Sequence, residues 1–494
     1  MWIRSGNKPR GGARRAALAA LTLAVLLLGV ACATAPIRPS DSGTEAPATK
    51  TPTSEAQTTE ETPAQKTETR KPETETKPEK PKPPEVPAFD GGTLKGAYEL
   101  ENDNTLKRYE GVTAADFDAY RKKLTDDGYA VYGSHEIGAN RYATLTKSGM
   151  AVSLCYIESD GSLTVTCDPL TKTVLYPQET WDGSKKVTDT TLGIFSLDYA
   201  KQGGKKDPTT GENIDGNGMG FVITLEDGRF IVIDGGYNHD ALNLYYYLRD
   251  NNRRADGKIV IAAWIMTHSH PDHYACMEAF YISCGRRGIT VENVIANPVP
   301  ESRFDKNFTY EKWVRDELPR IAEELDANYI MPHAGQVMKF CNAELEILYT
   351  HENMAPKTVW NPNEASVIFR LKAYGKSVLF LGDIEFSTPV LTKMYGAELK
   401  SDIVQVNHHG YAGGSREETS EELTLIDPSI AIWATNRATF EKYRNDTEPR
   451  RQPFRDLIEK IGLENCLTAD GACKLLPLNY RTLDDMTTYE FPKE

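Results

Sequence analysis

The chain has 494 residues and a formal net charge of −14 at pH 7, from 57 Lys and Arg against 71 Asp and Glu. This length predicts two or three domains, since a domain takes roughly 150 residues. The acidic balance argues against a broad nucleic-acid-binding face, because phosphate backbones are bound by clustered Lys and Arg. It leaves room for a small basic patch, but we expect no stable nucleic-acid partner.

Residues 1–32 have the pattern of an export signal. Arginines at 14 and 15 precede an uncharged apolar run over 16–30, and secretory signals place about 7–15 apolar residues behind a basic segment. The run is too short for a membrane span, which needs about 20 residues. Cys32 lies where a bacterial lipoprotein signal has its lipid-modified cysteine, although residues 31–33 also fit ordinary signal cleavage. We favour an extracytoplasmic bacterial lipoprotein, anchored to the membrane by its N-terminal lipid, over full secretion.

Residues 33–88 predict a disordered linker. The segment is dominated by Thr, Pro, Glu and Lys, for example in the run 77–84, and has almost no large apolar side chains. Such a composition cannot bury a core, and its proline and alternating charge keep the chain extended. We expect the linker to hold a globular part away from a membrane.

Residues 89–180 predict a small α+β accessory domain. Thr113 has the position of an N-cap for an amphipathic helix, with Phe117, Tyr120 and Leu124 on one stripe. Strand-like segments follow, which favours a helix packed on a small antiparallel sheet. No residue of this segment suggests catalytic chemistry.

Residues 188–480 predict a different pattern, in which strands and helices alternate. A hairpin covers 219–236, and an apolar strand over 259–266 leads directly into a polar motif. Later strands end at Gly382-Asp383 and at His408-His409. Polar residues that recur at strand ends are typical of the sites of layered α/β enzymes.

The most informative motif is Thr267-His268-Ser269-His270-Pro271-Asp272-His273, which we expect to form a tight loop after the apolar strand. Imidazole and carboxylate are ligands that zinc accepts and that iron or manganese accepts to a lesser extent. The alternative is a solvated polar loop. The motifs at 382–383 and 408–409 favour a metal site instead.

Four motifs in chain order resemble those of the metallo-β-lactamase-fold hydrolases: Asp234-Gly235-Gly236, the H-x-H-x-D-H run at 268–273, Gly382-Asp383 and His408-His409-Gly410. Within that superfamily the chain is most similar to the hydrolase domain of bacterial competence DNA-uptake proteins, in segments 363–367, 379–383, 406–410 and 468–472. The resemblance covers residues 188–480. It implies an αββα sandwich, two sheets face to face with helices outside.

The resemblance also implies two divalent metals, zinc in the first place and manganese or iron as alternatives. His268 and His270 would bind one ion, and Asp272 and His273 would bind the second. Asp383 would bridge the two ions.

The remaining positions leave alternatives open. His409 stands next to Gly410, as the ligand does in related motifs, so we favour it over His408 for the second site. Asp234 would lie behind the ligands and orient their imidazoles. Each acid also has a purely structural interpretation, Asp234 as a turn residue and Asp383 as a capping residue after a strand.

One departure concerns a histidine that many family members carry shortly before the strand leading to Gly-Asp. Residues 360–366 contain no His, a pattern that the competence-type branch shares. His351 could replace it through a loop, and His333 is a weaker substitute. Otherwise both are ordinary loop histidines, and the first metal binds loosely or uses water in that place.

The expected activity is metal-dependent hydrolysis by a metal-bound hydroxide. Two cations about 3.5–4 Å apart would share a water whose pKa zinc lowers to about 7, and Asp272 would orient the hydroxide. The metals would then stabilise the oxyanion that develops as a carbonyl or phosphorus is attacked.

The favoured substrate is a phosphodiester or other phosphate ester, small or part of the cell envelope, because of the likeness to the competence-type branch. Arg416 and Arg437 could donate to its phosphate, with surface solvation as the alternative. A lactam, lactone or thioester hydrolase would use the same metal centre. A non-catalytic metal-binding surface protein is the alternative from another class.

If the chain is exported, its cysteines can form disulfides, because disulfides persist in oxidising compartments. Cys155 and Cys167 are symmetric about one turn, and Cys466 and Cys473 about another, so each pair could face across a hairpin. We expect two local disulfides, with buried free thiols as the alternative.

Overall fold

The computed structural model describes residues 85–195, 218–284, 287–304, 309–385, 387–411, 416–469 and 472–492, without the side chains of 284, 309 and 416. The predicted signal, Cys32 and nearly all of the predicted linker therefore lie outside the described residues. Within the described ranges, no helix combines the length and the apolar character that crossing a bilayer requires.

The N-terminal part of the described chain is a sheet in which every neighbouring pair of strands is antiparallel, in the order β1-β2-β6-β5-β4-β3. Its strands are β1 Thr93–Glu99, β2 Thr105–Glu110, β3 Ala130–Ile137, β4 Asn140–Lys147, β5 Met150–Ile157 and β6 Ser162–Pro169. We call it the accessory sheet. A single helix of this region, α1 Ala114–Asp126, packs on one face.

Helix α1 starts where its sequence predicts. The Thr113 hydroxyl accepts a hydrogen bond from the Asp116 N–H at 3.2 Å, and the Asp116 carboxylate accepts one from the Thr113 N–H at 2.9 Å. This reciprocal capping satisfies two N–H groups that a helix start leaves without partners. Phe117, Tyr120 and Leu124 are buried against the sheet, so the predicted helix on an antiparallel sheet is confirmed.

Two larger sheets follow. The first core sheet begins with β7 Thr191–Ile194, β8 Gly220–Thr224, β9 Phe230–Asp234, β10 Ile259–Ile265, β11 Ile289–Val291, β12 Asn293–Ile295 and β13 Asn328–Ile330. The second core sheet comprises β14 Val337–Phe340, β15 Ala343–Tyr349, β16 Ile368–Ala373, β17 Lys376–Phe380, β18 Ile403–Gln405, β19 Ile430–Trp433 and β20 Cys466–Thr468, in that spatial order. The last strands, β21 Cys473–Pro477 and β22 Thr487–Tyr489, return to the first core sheet.

Side chains alternate between the two faces of each core strand, as the strand period of two requires. In β9, Ile231 and Ile233 join the core between the sheets, while Phe230 and Val232 pack under helices. In β17, Val378 and Phe380 face the same central core, and Leu379 faces outward. The two sheets therefore pack face to face.

Helices cover both outer faces. The first core sheet is covered by α2 Ala241–Asn251, α3 Pro271–Cys284 and α4 Thr309–Glu324. The second core sheet is covered by α5 Thr388–Tyr395, α6 Arg416–Ile426, α7 Arg437–Asn445 and α8 Gln452–Ile461. The expected αββα sandwich, preceded by a small α+β part, is confirmed.

The free face of the accessory sheet packs on the sandwich. Tyr142 and Ile157 share a buried cluster with Ala334 and Leu348. At Gly335, φ is +88° and an added Cβ would lie 1.8 Å from the Tyr142 ring, so only glycine permits this approach. The described residues from 85 onward form one compact unit, and the boundary proposed between 89–180 and 188–480 stays a prediction.

The two expected disulfides do not form. Ile157 pairs with Ser162 across the first hairpin, which sets Cys155 opposite Thr164 and leaves Cys167 and Cys155 as thiols. A three-residue 3-10 turn at Glu158–Asp160 shifts the register away from the symmetry that the spacing suggested. Cys466 and Cys473 lie on strands of different core sheets, so the second prediction is also wrong.

Candidate metal centre

Polar side chains from both core sheets meet at the carboxyl ends of two parallel strand pairs. In the first core sheet β9 and β10 are parallel, and they end at Asp234 and just before Thr267. In the second, β17 and β18 are parallel, and Asp383 and His409 follow them. The Val367 N–H donates to the Thr267 carbonyl at 2.9 Å, which joins the two sheets beside the site.

The H-x-H-x-D-H motif is divided between a loop and a helix. His268 and His270 lie in the loop after β10, as predicted, but α3 begins at Pro271, so Asp272 and His273 belong to its first turn. Proline suits the first helical position because its missing N–H would have no partner there. A carboxylate in that turn is stabilised by the N–H groups at the helix start.

Asp272, His273, Asp383 and His409 form the first group of possible metal ligands, with one ligand atom from each within 4.8 Å of the others. The His273 Nε2 atom lies 3.2 Å from Asp383 Oδ2. The His409 Nε2 atom lies 3.5 Å from Asp383 Oδ2 and 3.4 Å from Asp272 Oδ2.

His268, His270 and Asp383 form a second group by the same criterion, so Asp383 is shared. The His268 Nε2 and His270 Nδ1 atoms are 3.1 Å apart, and His268 Nε2 lies 3.9 Å from Asp383 Oδ2. Zn–N bonds of roughly 2.0–2.1 Å at tetrahedral angles would separate two ligand atoms by about 3.3 Å. The observed separations in both groups bracket that value, so the residues fit a metal.

Two buried polar atoms at this point support the fit. Asp383 Oδ1 and His409 Nε2 are buried without a hydrogen-bond partner among the described residues. Buried polar groups are nearly always paired, so such atoms need an explanation, and a bound cation is one. We call His268, His270, Asp272, His273, Asp383 and His409 the metal cluster.

Asp234 lies behind the metal ligands, the position that the sequence predicts, and bonds to His273 and Thr267. Its carboxylate lies 2.8 Å from His273 Nδ1 and accepts hydrogen bonds of 2.8 Å from both the N–H and the hydroxyl of Thr267. A histidine that donates through one ring nitrogen presents the other as a lone pair toward a metal. Asp234 therefore fixes both the tautomer and the orientation of His273.

His409 rather than His408 belongs to the cluster. The His409 Nδ1 atom donates to the Ala434 carbonyl at 2.8 Å, which turns its Nε2 atom toward Asp383. The His408 Nδ1 atom instead contacts the Glu385 carboxylate, and His408 is in neither group. Both residues have a positive φ, 47° for His408 and 54° for His409, a strained backbone typical of functional sites.

Asp383 is held in position by two residues, Ser366 and Gln405, that had no predicted role. The Ser366 hydroxyl accepts a hydrogen bond from the Asp383 N–H at 3.1 Å. The Gln405 side-chain carbonyl accepts from the N–H groups of Leu381 and Gly382, each at 2.8 Å. Ser366 lies within the motif segment 363–367, and Gln405 directly precedes the motif segment 406–410, which is the signal that could have identified them.

The charges around the metal cluster favour positive charge at its centre. Burial opposes a charged His273, but the carboxylates of Asp383, Asp234 and Asp272 outweigh it and hold its pKa well above 6.5. Burial, followed by His273, holds the pKa of His268 well below that value. Burial works against ionisation of Asp383, yet the neighbouring histidines, His273 first, keep its pKa well below 3.8. Asp383 therefore stays ionised and His268 stays a neutral donor of electron pairs.

The structure does not bring His351 to the cluster, so its assignment as the replacement ligand is corrected. The 3-10 turn His351–Met354 turns the chain after β15, and the His351 Nε2 atom lies 2.9 Å from Asn297 Oδ1. Burial lowers the pKa of His351 to about 3. His333, the weaker substitute, is held between Asp168 and Glu352 instead.

The two predicted phosphate-binding arginines have different outcomes. Arg437 is the first residue of α7 and forms an ion pair with Glu441, one helical turn along, at 2.7 Å. This pairing matches the alternative of a solvated surface arginine. The Arg416 side chain lies outside the described residues.

A scan against protein-family models and a search of curated proteins found no match. The solved structures with a similar fold include metallo-β-lactamase-fold proteins. The metallo-β-lactamase-fold protein YhfI from Bacillus subtilis is 10% identical, with 57% of this chain and 96% of that chain covered and a TM-score of 0.32.

A diphosphatase from the PhnP family is 13% identical, with 57% and 95% of the chains covered and a TM-score of 0.32. Zn²⁺-bound PqqB from Methylobacterium extorquens is 10% identical, with 57% and 97% covered and a TM-score of 0.37. At these identities and scores the similarity carries no inference about what this chain does.

Proposed function

We propose that the chain is a metal-dependent hydrolase that acts outside the cytoplasm on a phosphodiester or another phosphate ester. The observation that carries the proposal is the convergence of four imidazoles and the Asp272 carboxylate, from both core sheets, on the single side chain of Asp383. A solvated loop would not bury these groups against one another, because buried charges are retained only when they are paired or bind metal.

Each residue has a defined task in this proposal. His268 and His270 hold one divalent cation, and Asp272, His273 and His409 hold a second. Asp383 is shared because it belongs to both groups. We propose zinc for both positions, since two histidine donors with carboxylate are among its usual ligands.

When bound, the cations supply an ionised water at neutral pH and positive charge for the oxyanion that develops on the substrate. Asp272 provides the hydrogen-bond acceptor that orients this water. The charges of His273 and His409 overcome the effect of burial and lower the pKa of Asp272, so its carboxylate is ionised and accepts rather than donates. No serine or cysteine nucleophile takes part.

The choice of a phosphate ester is supported by the resemblance of the motifs to those of competence-type hydrolases. The Arg450 guanidinium, 5.6 Å from the centre of the Tyr411 ring, already has a counter-charge in Glu448 at 2.6 Å, so the proposal does not rest on it.

The test combines metal analysis with turnover. We expect the purified chain to contain two zinc ions per molecule and to hydrolyse bis(p-nitrophenyl) phosphate, with activity lost on chelation and restored by Zn²⁺. Asp383→Asn should lose both the metal and the activity, because it removes the shared carboxylate. Asp402→Asn is the matched control, since Asp402 directly precedes β18 of the same sheet, its carboxylate accepts hydrogen bonds from the N–H and the hydroxyl of Ser377, and it belongs to neither ligand group.

The outcomes separate the alternative functions. Full metal occupancy without turnover of any ester would favour a metal-binding surface protein. Turnover of lactams, lactones or thioesters but not of phosphodiesters would keep the metal centre and overturn the substrate class. A metal-free protein that still hydrolyses the ester would overturn the proposal itself.

We also propose that the chain is anchored to the outer side of a bacterial membrane through lipid on Cys32. Cells that express the full chain should incorporate labelled palmitate into it, and Cys32→Ala should abolish the label and release the protein from the membrane fraction. Membrane retention of an unlabelled Cys32→Ala chain would contradict the anchor.

A further inference from the structure

The turn that carries His409 has a backbone conformation that needs support. His408, His409 and Gly410 have φ angles of 47°, 54° and 80° in succession. Residues other than glycine keep this left-handed conformation only where surrounding contacts hold them there. At Gly410 an added Cβ would lie 2.3 Å from Trp433 Cδ1, so the turn is also packed closely against that ring. The direction of His409 therefore depends on what fixes this turn.

A hydrogen bond from a side chain distant in sequence fixes the backbone of the turn. The Arg451 Nη1 atom donates to the Gly410 carbonyl at 2.8 Å, across 41 residues of chain. The bond from His409 Nδ1 to the Ala434 carbonyl orients the imidazole itself. The two bonds are complementary, because a metal ligand needs both a placed backbone and an oriented ring.

The Arg451 side chain is buried, only 2% exposed, and two aromatic rings lie against it. Its guanidinium stands 3.9 Å from the centre of the Tyr443 ring and 5.1 Å from that of the Tyr411 ring. A guanidinium is planar and stacks on aromatic faces, which leaves its N–H groups to donate in fixed directions. The donor to Gly410 is therefore in place before any metal binds.

An ion pair does not account for the burial of Arg451. In the described ranges its closest carboxylate is that of Asp446, whose Oδ2 atom lies 3.5 Å from Arg451 Nε. That Nε atom is buried without a hydrogen-bond partner among the residues that the structure describes. The neighbouring Arg450 differs, because it is exposed and pairs with Glu448 at 2.6 Å. A buried charge is retained where it makes good polar contacts, and the shortest contact of Arg451 is to Gly410.

We propose that Arg451 is a positioning residue for the metal ligand His409. It does not touch the ligands, but its bond to Gly410 keeps the left-handed turn in the conformation that directs His409 Nε2 toward Asp383. The proposal takes its two cations from the proposed function. It adds that the cation held with His409 depends on Arg451, whereas the cation held by His268 does not.

The test measures the zinc affinity of the full chain by competition with a chelating dye. Arg451→Met keeps an apolar stem of similar length and removes the donor. We expect the affinity for one of the two zinc ions to fall about 10–100-fold and that for the other to stay at the parent value. Loss of a nearby positive charge would by itself strengthen the binding of a cation. A weakened zinc ion therefore reports the lost position of His409 rather than the lost charge.

A double-mutant cycle identifies the ion that is weakened. In a chain that already carries His409→Ala, adding Arg451→Met should weaken zinc no further, because its effect passes through His409. Arg451→Lys keeps a cation and a donor, so its zinc affinity should lie between those of the parent and Arg451→Met. Additive losses in the cycle would overturn the proposal.

Arg455→Met is the matched control for a general loss of stability. The Arg455 guanidinium bonds to the Asp446 carbonyl and to Gln452 Oε1, on the same stretch of chain as Arg451. This variant should bind both zinc ions like the parent. Unchanged zinc binding in Arg451→Met, or an equal loss at both zinc ions, would also overturn the proposal.

Hydrogen exchange of the metal-free chain tests the proposal without zinc. The His408 N–H donates to the Gly382 carbonyl at 3.1 Å, and the Tyr411 N–H donates to the His408 carbonyl at 2.6 Å. Both amides should exchange at least about tenfold faster in Arg451→Met and at the parent rate in Arg455→Met, because these bonds break when the turn opens. Unchanged exchange would contradict the role of Arg451. A parent chain that binds no zinc but shows this acceleration would count against the proposed function alone.

Discussion

The chain buries two clusters of histidine and carboxylate, and they are built on opposite principles. In the seam cluster, Asp168, His333 and Glu352, each ring nitrogen of His333 faces a carboxylate oxygen at 2.8 Å. In the metal cluster, imidazole nitrogens face one another, as His268 and His270 do at 3.1 Å, and Asp383 receives several of them. In the seam cluster the charged groups pair with one another, whereas in the metal cluster several imidazole nitrogens surround one carboxylate.

The difference shows how a metal site can be distinguished from a structural ion network built of the same residue types. In the seam cluster a single imidazole lies between two carboxylates. His273 of the metal cluster also has a carboxylate at each ring nitrogen, Asp234 and Asp383, but Asp383 Oδ2 lies within 3.9 Å of His268 Nε2 and within 3.5 Å of His409 Nε2 as well, so several imidazoles share it. Burial opposes charge on His333, but Asp168 and Glu352 outweigh it and raise its pKa well above 6.5. In the metal cluster His268 is kept neutral, and His409 Nε2 has no hydrogen-bond partner among the described residues. The residue types are alike, but only the metal cluster gathers several imidazoles around one carboxylate.

The largest expected effect comes from breaking the seam cluster. His333→Gln removes the buried cation and leaves Asp168 and Glu352 without their shared counter-charge, which should lower the free energy of unfolding by about 3–5 kcal/mol. Urea denaturation measures this loss, and metal content should stay at the parent value. His135→Gln is the control, because His135 is partly exposed and Glu346 keeps Arg370 and Lys372; its loss should stay below about 1 kcal/mol. Equal losses in the two variants would contradict the distinction.

Removing a ligand of the metal cluster should lower the activity strongly and change the free energy of unfolding little. His409→Ala should lower kcat/KM on the phosphodiester by more than about 100-fold, beyond the roughly 10–100-fold typical of residues behind the ligands. Unfolding in the presence of chelator should change little. His408→Ala removes the neighbouring imidazole, which lies outside both ligand groups, and should cost less than about tenfold. If His408→Ala were the more damaging change, the ligand assignment would be reversed.

A smaller effect is expected for Asp234, which lies behind the metal ligands. Asp234→Asn keeps the size of the side chain and a residue type that tolerates the positive φ of 55°, but removes the charged acceptor for His273. Zinc affinity, measured by competition with a chelating dye, should fall about 10–100-fold. Asp240→Asn is the matched control, because burial raises the pKa of Asp240 to about 8 and the acid is already neutral at pH 7. It should bind zinc normally.

The smallest effect is the pH dependence of the seam cluster. The pKa of His333 is raised from 6.5, so its contribution to stability is complete below pH 6.5 and is lost as pH rises through the folded value. Burial works against the Glu352 carboxylate, but His333 lowers its pKa below 4.5, so that contribution disappears as pH falls below 4.5. The stability difference between the parent and His333→Gln should therefore peak between pH 4.5 and 6.5.

Outside that window the difference should shrink by at most about 1.4 kcal/mol per pH unit for each proton. Urea midpoints of both chains from pH 4 to 9 measure it. A difference that grows steadily with pH above 6.5 would contradict the assignment of a protonated His333.

The sequence alone determined the features that depend on near neighbours along the chain. Thr113 and Asp116 cap a helix through local hydrogen bonds, so spacing was enough to predict α1. The H-x-H-x-D-H run after a continuous apolar strand predicted a ligand-rich strand end, and four motifs in order indicated the sandwich. Period-two burial in β9 and β17 follows from the pleat of a strand.

Tertiary structure decided what depends on how distant segments meet. A backbone carbonyl at Ala434 turns His409 toward Asp383, and packing against Asn297 keeps His351 away from the cluster. One three-residue turn displaced Cys155 from Cys167, because side-chain facing in a hairpin changes with every residue of register. Ligand types can be seen in a sequence, but the direction in which their lone pairs point is fixed only when two sheets pack together.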